Sequence, residues 1–227
     1  MDAKQLLTVA LSKSQELSKK IGTDIYQSIS FQGFKIPELN IEVFERRAIG
    51  ILKSENKLSE RTVVSVQPFP LNDEILGIVL YLNNNRIDIH PSANLNKWKE
   101  RLVVCKELCQ IYLDFTESNP ADGSNHVLFR EIRKQIFELI TLHNETAAHF
   151  DQLDLAIDDK NRNEFLSFFM AINMIFPPER WSDFKILYEK TTRADGGLTL
   201  YDMAYAYQMP RFALKFFRKR MLPYYEK

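Results

Sequence analysis

Histidine and cysteine are where metal or redox chemistry would begin in this chain, and both are scarce. The four histidines are His90, His126, His143 and His149. No two stand four apart, the spacing that sets two imidazoles on one helix face for a metal. His143, Glu145 and His149 are close in sequence, yet six residues of helix leave His143 and His149 about 120° apart. Only Glu145 and His149 share a face, which reads as ordinary core or surface histidine rather than a ligand set. His90 precedes Pro91 and reads as a loop residue at a strand end. Cys105 and Cys109 share a helix face. A redox pair is one reading, and two small side chains filling a core helix is the simpler one. The tail carries Arg211, Lys215, Arg218, Lys219, Arg220 and Lys227 against Glu226 alone, a local charge of +5. After a turn at Gln208-Met209-Pro210, such a helix offers phosphate contacts in the manner of a helix-turn-helix. Phe212, Phe216 and Phe217 occupy much of the same helix and favour a tail packed on the core. Gly196-Gly197 lacks the flanking pattern of a phosphate loop, and no nucleophile-elbow pattern is present.

The elements that must position these residues follow from composition and period. The chain has 227 residues, enough for one ordinary domain without a disulfide or metal staple. Lys+Arg and Asp+Glu are 30 each, so the net charge is zero, which argues against nucleic acid or anionic lipid as a general partner. Sixteen Phe and only 7 Gly exclude low-complexity disorder and point to an aromatic core. Two cysteines make no disulfide framework, so a reducing cytoplasm is expected. Leu6 to Leu11 is too short for a signal peptide, and no apolar run reaches membrane-spanning length.

Leu6, Ala10, Leu17 and Ile21 recur at helical spacing, with Gly22 as the stop. A second helix is expected over Ile41 to Lys53. Thr62 to Gln67 is β-branched and reads as a strand, and Ile75 to Leu82 with Arg86 to His90 flank an Asn-rich turn, a hairpin. Lys97 to Phe115 is one helix whose apolar stripe is Leu102, Cys105, Leu108, Cys109 and Tyr112. Thr116 to Asn125 reads as loop, and Val127 to Asp158 as two helices or one kinked helix. Asn161 to Phe176, Arg180 to Lys190, Thr199 to Tyr207 and Pro210 to Met221 are the remaining helices. The fold class is α+β, a small mostly antiparallel sheet packed on helices. The expected organisation is a helical N-terminal region (1–58), a core (59–190) and a helical C-terminal tail (191–227).

From Gly77 to Phe115 the chain resembles the ImmA/IrrE family of zincin-like metallo-endopeptidases. There, an edge strand leads into a helix reading roughly R-F-T-x-A-H-E-L-G-H. Arg101, Leu102 and Leu108 fit that pattern, Cys105 holds the small-residue place, and Glu107 holds the glutamate. A second family helix, E-x-x-A-N-x-F-A-A-x-L-L-M-P, carries the acid that completes the metal site. Counting back thirteen residues from Pro177 places it on Glu164, with Ala171, Met174, Ile175 and Phe176 on small or apolar places and Phe168 where the family has Asn. The resemblance spans about residues 40 to 221, with an insertion near 116–160, and implies a zincin-like fold.

It also implies that the chemistry has gone. An active site of this type needs two histidines four apart, a third ligand, and a water that the helix glutamate deprotonates. Lys106 stands at the first histidine place and Gln110 at the second. An ammonium with a usual pKa near 10.4 repels a metal, and an amide oxygen is a poor zinc ligand beside imidazole. With Glu164 the one family ligand kept, no metal or other cofactor is expected. The Lys106 ammonium is instead expected to meet Glu164 where zinc would sit, with Glu107 in the same cluster. The resulting expectation is a cytoplasmic, catalytically degenerate protein that binds a protein or peptide, a transcriptional regulator being the partner class the resemblance implies. Two alternatives remain at this point. One is an active peptidase with an unconventional site around Glu107 and Glu164; the other is a nucleic-acid-binding regulator using Arg211, Lys215, Arg218, Lys219 and Arg220.

Overall fold

Asp2 opens the first helix by accepting from the Gln5 amide at 2.7 Å while the Gln5 side chain returns a bond to the Asp2 amide. This reciprocal cap settles two of the orphan donors at the start of α1 (Ala3–Ile21). In the computed structural model, which describes residues 2–31, 33–82, 85–117, 128–133, 162–192 and 199–226, α1 ends at Gly22 with φ +87°. Its buried face is Ala3, Leu6, Leu7, Ala10, Ser14, Leu17 and Ile21.

Between its two expected helices, the N-terminal region (1–58) also contains a two-stranded hairpin. Strands β1 (Tyr26–Phe31) and β2 (Phe34–Leu39) pair antiparallel from Tyr26↔Leu39 to Phe31↔Phe34. Tyr26, Ile29 and Phe31 are partly buried against the core, and Gly33 supplies φ +81° at the turn. Polar Gln27, Ser28 and Ser30 dilute the apolar signal, which is why the period was weak in sequence. Pro37 is tolerated where β2, among the described residues, pairs on one side only. Helix α2 (Ile41–Ser54) follows, with the Asn40 side chain accepting from the Val43 amide at 3.1 Å.

A second sheet has the order β3-β5-β4-β6. Strands β4 (Ile75–Leu82) and β5 (Arg86–Pro91) form the expected antiparallel hairpin, and Asn85 takes the left-handed backbone. Strand β3 (Val63–Val66) pairs parallel to β5. With one parallel and two antiparallel pairings the sheet is mixed but mostly antiparallel, as expected. Strand β6 (Leu128–Arg133) pairs antiparallel to the outer edge of β4, inside a region expected to be helical. The open edge of β4 offers these six residues a ladder that local helix propensity cannot match. The remainder of 127–158, with His143, Glu145 and His149, lies outside the described residues, as does His126.

Helix α3 (Lys97–Glu117) lies between the sheet, α2 and α4 (Arg162–Ile175), and every residue from Leu102 to Phe115 is buried. Residues Phe165 to Ile175 of α4 are likewise all buried. The Pro177-Pro178 stop holds, and the Trp181 indole donates to the Phe176 carbonyl at 2.8 Å. Helices α5 (Trp181–Thr192), α6 (Leu200–Ala206) and α7 (Arg211–Phe216) complete the chain. A π-helical turn (Phe217–Met221) carries α7 into α8 (Leu222–Tyr225). Side chains from α1 through α8 share one buried apolar cluster, so the first helix is built into the core. Phe176 joins these last elements. It stacks on Phe217 at 4.5 Å between centroids and meets Tyr207 at 4.9 Å and Phe184 at 5.2 Å. Phe176→Ala is expected to cost about 3–5 kcal/mol in urea unfolding, because the surrounding rings cannot all collapse into the space it leaves.

Candidate functional site

The middle of α3 carries four polar side chains where an interior helix would ordinarily have none: Lys106, Glu107, Gln110 and Asp114 are all buried. A buried ammonium without partners would cost several kcal/mol. Lys106 avoids that. Its Nζ donates to Glu107 Oε1 at 2.6 Å and makes a still shorter ion pair with Glu164 Oε2. Lys106 and Glu107 have no exposed side-chain surface, and Glu164 keeps only 16%. Glu164 sits in the first turn of α4, where the positive end of the helix dipole favours a carboxylate. Thus the structure brings together Lys106, Glu107 and Glu164, three residues picked out by sequence alone from two distant helices.

The electrostatics agree with the geometry. Burial opposes the charged form of Lys106, but the charges of Glu107 and Glu164 and their hydrogen bonds outweigh it, so its pKa lies above the ordinary lysine value. The ammonium is the form the site holds.

Gln110, one turn along, turns away from this cluster. Its Nε2 donates to Asp114 Oδ1 at 2.8 Å, and Asp114 Oδ2 accepts from the Tyr81 hydroxyl of β4 at 2.7 Å. Gln110 Oε1 is buried without a hydrogen-bond partner among the described residues. Asp114 and Tyr81 were not singled out in sequence. The available signal was an acid four residues after Gln110, set among Ile111, Tyr112, Leu113 and Phe115.

These residues do not fit a zinc ion. Lys106 is a cation already held by both acids, and Gln110 is an amide engaged with Asp114. Among the described residues no group of three or more His, Cys, Asp or Glu could hold a metal. Nor does Glu107 have surface from which to act as a base on a bound substrate.

The other candidates disperse. Cys105 and Cys109 are both buried and unoxidised, and burial first, then the neighbouring Cys105, raises the Cys109 thiol well above its usual pKa. That is the opposite of a reactive thiolate. His90 lies within β5, its Nδ1 2.9 Å from the Gln67 carbonyl oxygen. In the basic tail Phe216 and Phe217 are buried, and the Arg218 guanidinium lies over the Tyr188 ring at 5.1 Å. Arg211 and Lys219 are exposed, while Lys215 and Arg220 are half-buried. The apolar half of that helix is spent on the core. Comparison of the chain with family models, curated proteins and solved structures gives no match.

Removing one member of the triad should be far worse than removing its charges together. Lys106→Met is expected to destabilise by about 3–5 kcal/mol, since it leaves two buried carboxylates facing each other. Combining it with Glu107→Gln and Glu164→Gln should recover at least half of that loss in a urea-unfolding cycle. The sign of the pH dependence follows from the raised pKa. The stability owed to Lys106 is fully present below the unfolded lysine value, near 10.4, and falls only as pH rises through the higher folded value. The stability of the wild-type protein should therefore show no loss attributable to Lys106 between pH 7 and about 10 in urea unfolding.

Proposed function

We propose that this chain is a catalytically degenerate, ImmA/IrrE-like protein that acts by binding a protein or peptide rather than by cutting one. The observation that carries the reading is the buried Lys106 ammonium held between Glu107 and Glu164. In a zincin-like arrangement a divalent cation would be the positive centre facing that pair of helices, α3 and α4. Here the positive charge belongs to the chain itself and cannot polarise a carbonyl or lower the pKa of a water. The order of elements supports the same reading: an antiparallel hairpin, a connecting loop, the buried helix with Glu107, and a later helix bringing Glu164.

The partner class that goes with this reading is a cytoplasmic regulatory protein, in bacterial, phage or mobile-element regulation. Among the described residues no helix is long and apolar enough to cross a membrane. The outer edge of β4 is already taken by β6, so a strand-like ligand would have to find another edge.

Metal analysis of protein purified without chelator tests the proposal. Zinc well below one per chain, with a melting temperature unmoved by chelator, is the expected result. Stoichiometric zinc, lost together with thermal stability on chelation, would overturn it.

A further inference from the structure

Among the described residues, strand β3 pairs with β5 alone and leaves the other side of its backbone open. The Val63 amide donates to the Asn85 carbonyl at 2.8 Å and the Gln67 amide to the Ile89 carbonyl at 3.0 Å. Alternate residues of a parallel ladder face its partner, so the N–H and C=O of Val64 and Val66 face the other way. Apolar side chains are exposed near both ends of this edge, Val63 at 58% and Phe69 at 50%. An uncovered edge of this kind is a template for another extended segment.

Val66 also lines a groove of about 690 Å³ formed with the hairpin and the first turns of α2 and α3. Its lining is net acidic, with four carboxylates against two cations. Glu38 is committed to Arg101 at 3.1 Å, which leaves Glu42, Glu45 and Glu100 against Lys97. Those three acids make no ion pair among the described residues. Burial, then the charge of Glu42, raises the pKa of Glu45, a penalty that an arriving cation would relieve. Beyond Lys97 and Gln208 the surface continues into an aromatic cluster. Trp98 lies 5.6 Å from Tyr201 and 6.2 Å from Tyr205, both tyrosines being more than half exposed. Ring faces attract cations and gain nothing from anions.

We infer that the open edge of β3, with this acidic groove at its end, is a docking site for an extended peptide segment bearing lysine or arginine. The peptide backbone would pair with Val64 and Val66, and its cationic side chains would enter among Glu42, Glu45 and Glu100. The inference goes beyond the reading of the Lys106 cluster and does not need it, because none of these groups touches that cluster.

The test uses the full chain and three amidated ten-residue peptides. One alternates lysine with valine, one alternates glutamate with valine, and one is the lysine peptide N-methylated at alternate backbone amides. The lysine peptide is expected to bind, to slow hydrogen exchange at the Val64 and Val66 amides, and to weaken with salt. The N-methylated peptide and the Glu42→Gln, Glu45→Gln, Glu100→Gln variant should each lose on the order of tenfold in affinity. Three results would overturn the proposal. They are no binding, equal binding of the glutamate peptide, and binding that leaves both valine amides unprotected. Sedimentation showing self-association that protects those amides without peptide would overturn it too, assigning the edge to a second copy of the chain.

Discussion

A single buried ammonium sets the terms for the rest of this molecule. Lys106 lies at the centre of α3 with no exposed surface, and its charge is acceptable there only because Glu107 and Glu164 meet it. Glu107 is its neighbour in sequence. Glu164 is not, and must be carried in by a separate helix. The position and rotation of α4 relative to α3 are thereby constrained by more than apolar packing, since a small slide would strand a charge in the interior. Apolar packing would accept several rotations of two Phe- and Leu-rich helices, whereas an ion pair of this kind accepts few.

Other contacts around α4 are consistent with that constraint. The Tyr26 hydroxyl of the hairpin donates to the Met174 carbonyl at 2.8 Å. The Asn173 amide donates to the Tyr225 hydroxyl at 3.1 Å, and Tyr225 in turn donates to the Leu7 carbonyl at 3.3 Å. The last helix is thus tied to the first across α4. Tyr225 also stacks on Trp181 at 5.2 Å, so the end of the chain closes the same layer that Phe176 opens. Arg211 and Lys219 are exposed on an element whose other side, with Phe216 and Phe217, is core.

Much of this was legible in the sequence, for identifiable reasons. Helices α1, α3 and α4 are long enough for their period to show, and Gly22 and Pro177-Pro178 stop two of them. The β4–β5 hairpin was visible because three asparagines separate two apolar runs. The meeting of Lys106 with Glu164 was legible only through the family resemblance, as no period or spacing relates residues fifty-eight apart. The β1–β2 hairpin was hidden because its outward residues are polar and its strands short. Strand β6 was hidden because its reason to be a strand is the free edge of β4, a tertiary fact. Asp114 and Tyr81 escaped for the same cause: their bond joins a helix to a strand thirty-three residues away.

The central claim is that Lys106 stands where this arrangement of helices would otherwise hold a metal. Installing two imidazoles, Lys106→His with Gln110→His, tests it directly by zinc titration. If Glu164 and the two installed histidines face one point, the double variant binds one zinc per chain at low micromolar concentration or below, and zinc raises its melting temperature while leaving wild type unmoved. A correctly folded double variant that binds no more zinc than wild type would contradict the claim, reducing the cluster to an isolated buried ion pair.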